Sequence, residues 1–182
     1  MITSMYLQLG MITLTVAVYL AMVTTNQWFL SGFELVPGVN WIYLPAGAKL
    51  VFTLLFGAAG AVGVFIAALI ATRIYYFPND FISSVADATV CAIGPYIIYR
   101  FAAYRFNFSN GCLQNLTPSR LLVCCVAFAL ANSLLQHTWL IPLGHTTNPP
   151  GTLFAMFTGD LLGALAVLYL VKLLLGCVGT PR

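Results

Sequence analysis

The sequence has very little charge. Its 182 residues hold seven Lys and Arg and four Asp and Glu, so only 6% of the chain is charged, against about 25% in a soluble domain. So little charge cannot cover a water-facing surface, and a separate soluble domain is excluded. Runs of Lys and Arg are missing as well. The net charge of +3 is dispersed, which excludes a nucleic-acid surface or a strong anionic-lipid patch. The apolar segments lack the alternation of barrel strands, so helices are the spanning structure left. The five cysteines (Cys91, Cys112, Cys124, Cys125, Cys177) lie mostly in apolar segments with no metal-type spacing, and the pair Cys124-Cys125 reads as packing. There is no phosphate loop and no set of nucleophile, base and orienting group. No catalytic residue, metal ligand or cofactor is assigned, and the chain is not read as an enzyme.

What the sequence has is long charge-free runs. Leu50 to Ala71, Leu121 to Gln136 and Leu161 to Val171 contain no charged residue, and about 20 apolar residues cross the roughly 30 Å hydrocarbon layer as a helix. The pattern predicts segments over Met5–Thr25, Pro45–Tyr75, Phe81–Arg105, Arg120–Trp139 and Gly151–Leu175. The first has no Lys or Arg before it and reads as a retained helix, not a signal peptide. Pro45–Tyr75 reads either as one long helix or as two short ones meeting within Gly57–Gly63. The expected fold is therefore an all-α polytopic membrane protein, residues 1–182 forming one transmembrane domain of about six segments, or five if Pro45–Tyr75 is single. With six, Arg100, Arg105, Arg120, Lys172 and Arg182 share one face against Lys49 and Arg73. The positive-inside rule then places the C-terminus in the cytoplasm of a cell whose inner membrane holds the chain. Trp28, Trp41, Trp139, Tyr43, Tyr75 and Tyr76 fall at segment ends, where amphipathic rings favour the interface.

Polar groups inside these segments are the candidates for function. Asp87 lies about two turns into its segment and Asp160 about two and a half turns into the last. A central Asp costs at least about 2.5 kcal/mol to insert, so it normally faces a partner or a cavity, and Lys49 is the natural partner. Cys91 is four residues from Asp87 and shares its face. Asn132 with Gln136, and Ser133 with His137, are also four apart, and Thr158, Gly159, Asp160 and Gly163 form a small polar patch. These stripes can converge on one ligand pocket built from Trp41, Lys49, Asp87, Asn132, Gln136, His137 and Asp160. The plainer reading is that the same groups only glue helices together. Asp160 is expected to face the bundle, with Leu161, Leu162, Leu165 and Val167 toward lipid.

The stretch Gly38-Val-Asn-Trp-Ile-Tyr-Leu-Pro-Ala-Gly47, followed by Leu54-Leu-Phe-Gly57 and Val64-Phe-Ile-Ala67, resembles the bacterial integral membrane-associated sensor domain found ahead of histidine kinases and diguanylate cyclases. Thr158-Gly-Asp-Leu-Leu-Gly-Ala-Leu165 is similar to that family's Gly-Asp-x-x-Gly element. Pro45, Gly47, Gly57, Gly159, Asp160 and Gly163 match, whereas Leu44 stands where the family has a first Pro and the Trp is displaced to Trp41. The resemblance implies a short second and third segment, both termini cytoplasmic, and a sensory module that binds a small ligand. No kinase or cyclase follows in this sequence, so output would pass to a membrane or cytoplasmic partner protein. Two other classes fit a chain of this size: a substrate-binding component of a vitamin-type transporter, meeting its partner through Ala17-x-x-x-Ala21, and an accessory structural subunit of a larger membrane complex.

Overall fold

A computed structural model describes residues 2–30, 32, 34–36, 38–106 and 117–177, with side chains from residue 5 to residue 171 within those spans. Among the described residues six α-helices run in chain order: α1 (Ile2–Leu30), α2 (Pro45–Phe56), α3 (Ala58–Ala71), α4 (Phe81–Phe106), α5 (Pro118–Leu140) and α6 (Pro149–Cys177). A π-helical turn (Thr72–Tyr76) extends α3, and a small hairpin of β1 (Glu34–Val36) and β2 (Val39–Asn40) lies between α1 and α2. Among the described residues five helices are long and apolar enough to cross a membrane and α2 is not; Ala58–Tyr76 is one of the five, so of the two segments expected to be short only the second is. The fold is an all-α polytopic bundle. Leu122, Leu130, Leu134, Phe154 and Leu162 are exposed on its outer surface, as lipid contact requires.

The stretch Pro45–Tyr75 is two helices. The break falls at Gly57, whose backbone has φ 57° and ψ −124°, a left-handed region that disfavours side chains. Gly60 and Gly63 are not part of the turn. They lie inside α3, where Gly60 abuts the backbone of Phe52 and Gly63 abuts Thr15 of α1. Small residues of this kind let helices approach closely in lipid. Nothing interrupts α1 before Leu30, so Asn26 and Trp28, which follow the expected segment end at Thr25, lie on the helix.

Two lateral pairings fix how α2 sits. Gly47 faces Val167 and Gly163, and Tyr43 N–H donates to the Gly159 carbonyl at 3.2 Å, so α2 runs parallel to α6. Gly159 is ten residues into α6, about 15 Å along its axis. The chain between α1 and α2 therefore descends well below the start of α6 before α2 completes the crossing. Non-helical backbone is tolerated at that depth only where protein or a cavity surrounds it. Here Leu44 N–H is received by the Asn26 side chain at 3.1 Å. Val167, expected to meet lipid, is buried against α2, whereas Leu162 and Leu165 are exposed.

A Cβ at Gly163 would strike the Tyr43 carbonyl, whereas one at Gly10 on α1 meets nothing within 4 Å. Gly163→Ala is expected to lower unfolding stability by about 1–3 kcal/mol through overpacking. Gly10→Ala should be neutral or stabilising by up to about 1 kcal/mol, because it removes a helical glycine. Thermal unfolding of both variants in mild detergent checks the pair.

Candidate functional site

Residues of six segments, most of them polar, meet around one small cavity of about 10 Å³, the room for roughly one water molecule. The chain before α2 contributes Gly38, Asn40 and Tyr43, and α2 contributes Lys49. The π-helical turn contributes Tyr76, α4 contributes Asp87 and Cys91, α5 contributes Asn132 and Gln136, and α6 contributes Met156 and Asp160. Lys49 and Asp160 are each only 2% exposed. Asp160 faces the bundle interior, as its cost in lipid requires.

Asp87 is well supplied with donors. Gln136 Nε2 donates to Oδ1 at 2.7 Å, the Thr72 hydroxyl reaches Oδ2 at 3.1 Å, and the Cys91 thiol donates to Oδ2 at 3.6 Å. Gln136 is held in turn by Trp139, whose Nε1 donates to its Oε1 at 2.5 Å. Lys49 does not pair directly with either carboxylate: among the described residues, the only ion pair within 4.0 Å is His145 with Asp80. Its ammonium donates to Cys91 Sγ at 2.9 Å and lies 4.9 Å from the centre of the Tyr43 ring. A chain of hydrogen bonds thus runs from Lys49 through Cys91 to Asp87. Asp160 accepts from Asn132 Nδ2 at 2.5 Å. Both side-chain atoms of Asn40, and Oδ1 of Asn132, are buried without a hydrogen-bond partner.

The glycine at position 94 explains part of this geometry. A Cβ there would lie 3.2 Å from Asn132 Oδ1, so the bare backbone of α4 lets α5 bring Asn132 to the cavity. The π-helical turn closes with Phe77 N–H donating to the Thr72 carbonyl at 2.8 Å. The wider turn takes its residues off the α-helical phase, and its last residue, Tyr76, joins the cavity wall.

Five of the seven sequence candidates line the cavity: Lys49, Asp87, Asn132, Gln136 and Asp160. Trp41 does not. It is 39% exposed and stands edge-on to Phe154 at 6.1 Å. His137 does not either. Its Nδ1 meets the Ser133 carbonyl at 2.8 Å and its Nε2 meets the Thr152 hydroxyl at 3.0 Å, and a carbonyl only accepts, so Nδ1 carries the proton. This buried histidine ties α5 to α6. Sequence reading missed Asn40, Tyr43 and Tyr76. The two tyrosines read as interfacial belt residues because they flank segment ends, as did Trp139, which is buried against Phe77. A single Asn in a turn-rich stretch carried no signal of burial.

A second polar cluster lies at the end of the bundle where α4 begins. Asp80 caps α4, accepting from Ser83 N–H at 3.1 Å and from the Ser83 hydroxyl at 2.5 Å. His145 Nε2 meets the same hydroxyl at 2.8 Å and the Asp80 carboxylate at 3.7 Å. Serine, histidine and aspartate are together, yet serine and carboxylate approach one ring nitrogen and Ser83 is fully buried. In an acyl-transfer triad the carboxylate orients the opposite nitrogen and the serine is open to substrate. This cluster is a helix cap with a histidine strut.

No protein-family model, curated protein or solved structure matches this chain.

Two outcomes follow from these networks. Gln136→Leu strips a donor from Asp87 and an acceptor from Trp139, and is expected to cost about 1.5–3 kcal/mol. Thr138→Ala, whose hydroxyl bond is exposed, should stay within about 0.5 kcal/mol of the parent. The hydrogen bonds from Ser83 hold the Asp80 carboxyl below its ordinary range. A depressed folded-state pKa contributes stability above the unfolded value, and that stability is lost as pH falls through the folded one. On the acid side of the usual carboxylate range, the parent Tm should therefore fall more steeply than that of Asp80→Asn, as read from Tm against pH.

Proposed function

We propose that the chain is a sensor-like module of the inner membrane. It binds a small polar ligand in the buried cavity and passes its occupancy to a partner protein. One observation carries the reading: the non-helical stretch before α2 meets α6 about 15 Å along its axis, where Asn40 and Tyr43 close a cavity lined by two carboxylates and a lysine. Charged groups at such depth, beside broken helices, mark binding sites in membrane proteins. The resemblance to the sensor-domain family points the same way, because three of its matched residues, Gly47, Gly159 and Gly163, seat α2 and the closing segment on α6. A vitamin-sized substrate needs a pocket of several hundred Å³, so the transporter reading would require the stretch before α2 to move aside. The accessory-subunit reading draws on the number of cavity groups that satisfy one another, Gln136 with Asp87 above all.

For output, Ala17 and Ala21 are exposed on α1, the helix with the smallest share of its span buried in the bundle. For orientation, Lys49 belongs to the core, which leaves Arg73 alone at one end against Arg100, Arg105 and Arg120 at the other. That bias puts the Arg100 end and the C-terminus in the cytoplasm.

Two experiments test the proposal. The native chain is purified in mild detergent, and co-purifying proteins and small molecules are identified by mass spectrometry beside Asp160→Asn and Lys49→Met. A binding module keeps its fold in these variants and loses ligand or partner occupancy about tenfold or more. A stoichiometric partner retained by both variants, with no ligand, would establish the accessory role instead. Single cysteines at Ser119 and Thr180, in a background without native cysteines, should resist a membrane-impermeant reagent on intact cells while one at Thr147 reacts. Strong labelling at Ser119 or Thr180 would reverse the orientation.

A further inference from the structure

We propose that the cavity is a binding site for one small monovalent cation of sodium-ion size, with the Asp160 carboxylate and the amide oxygens of Asn132 and Asn40 as its ligands. The inference rests on reading the cavity as a working site, and it names the ligand class.

Charge comes first. The lining holds Lys49, Asp87 and Asp160, one positive against two negative groups. Lys49 reaches Asp87 through Cys91, and Asp87 has further donors, so one ammonium is shared between two carboxylates. Asp160 has an amide N–H from Asn132. A carboxylate so placed costs several kcal/mol unless a positive charge is supplied, and the cavity is short of one.

The unpartnered atoms come second. Asn40 and Asn132 are 2% and 1% exposed. Their Oδ1 atoms are acceptors without a donor, in residues that line the same space as Asp160. A surplus negative charge beside unused neutral oxygens is the environment that a hard cation prefers. Water could satisfy the amides but would leave the charge.

Size and charge then select the ion. Room for about one water excludes organic ammonium groups. A divalent ion would replace the deficit by an excess, and among the described residues no three His, Cys, Asp or Glu side chains gather as a metal site. Because Asn40 lies on β2 while Asn132 and Asp160 lie on α5 and α6, the ion would bind the segment before α2 to the two helices beneath it. That is a direct way for occupancy to change the bundle.

The test uses the purified chain in mild detergent at pH 8, titrated with NaCl against choline chloride at constant ionic strength. Sodium is expected to raise Tm saturably, by roughly 3 °C or more, with KCl weaker. Asp160→Asn removes the surplus charge in the same shape. It should melt at or above the parent in sodium-free buffer and lose the sodium response. Asn40→Ala should keep the fold and raise the sodium midpoint about tenfold. Equal Tm in sodium and choline, meaning a water or a proton only, overturns the site, as does an undiminished response in Asp160→Asn. Should Asp160→Asn fail to fold, an unchanged midpoint in Asn40→Ala overturns it. If sodium has no effect while Asp160→Asn still loses an organic ligand or partner, the cation fails and the sensor reading stands. If sodium binds but the site variants leave partner binding intact, the sensor reading fails and the cation site stands.

Discussion

Hydrocarbon offers no hydrogen bonds, so every polar group carried into this bundle must find its partner in protein, and the arrangement of the helices follows from that demand. The helices satisfy their own backbones. The stretch from the hairpin to Leu44 cannot, and its groups are served from outside: Asn26 on α1 receives Leu44 N–H, and the Gly159 carbonyl on α6 receives Tyr43 N–H. Glycine at 159 and 163 is what allows that second approach, because any side chain there would collide with the carbonyls of Asn40 and Tyr43. The short α2 is thus a consequence of a folded-in connection, whose upper half has been exchanged for irregular chain sealed against α6.

The same demand divides the two carboxylates. Asp87 is embedded in a network with Thr72, Cys91 and Gln136, and behind Gln136 stands Trp139. A network this complete rigidifies the junction of α3, α4 and α5. Asp160 has only Asn132 beside it, and the unused amide of Asn40 belongs to the lining of the same cavity. Lys49 sits with the first group, through the thiol of Cys91. Structure and candidate function thus share one small space, lined also by the lysine that α2 brings in at its second turn.

Composition and run length determined the class of this protein. With 6% charge and 61% hydrophobic residues, water cannot be its solvent, and charge-free runs of spanning length admit helices alone. Spacing determined the polar stripes, because residues four apart share a helix face whatever that helix packs against. The cost of a carboxylate in lipid turned Asp160 inward before any neighbour was known. Position along the sequence could not decide which stripes meet. Tyr43, Tyr76 and Trp139 look alike at segment ends, and only the descent of the chain before α2 and the π-helical turn after α3 carry them inside. His137 was placed beside the cavity by its spacing from Ser133 and Trp41 by its place just before α2, yet a step of about 100° along α5 from Gln136 and one step of loop from Asn40 direct each elsewhere. Asn40 shows the limit most clearly. Its burial depends on glycines more than a hundred residues away, and a contact of that kind is decided by packing between helices, which no local pattern encodes.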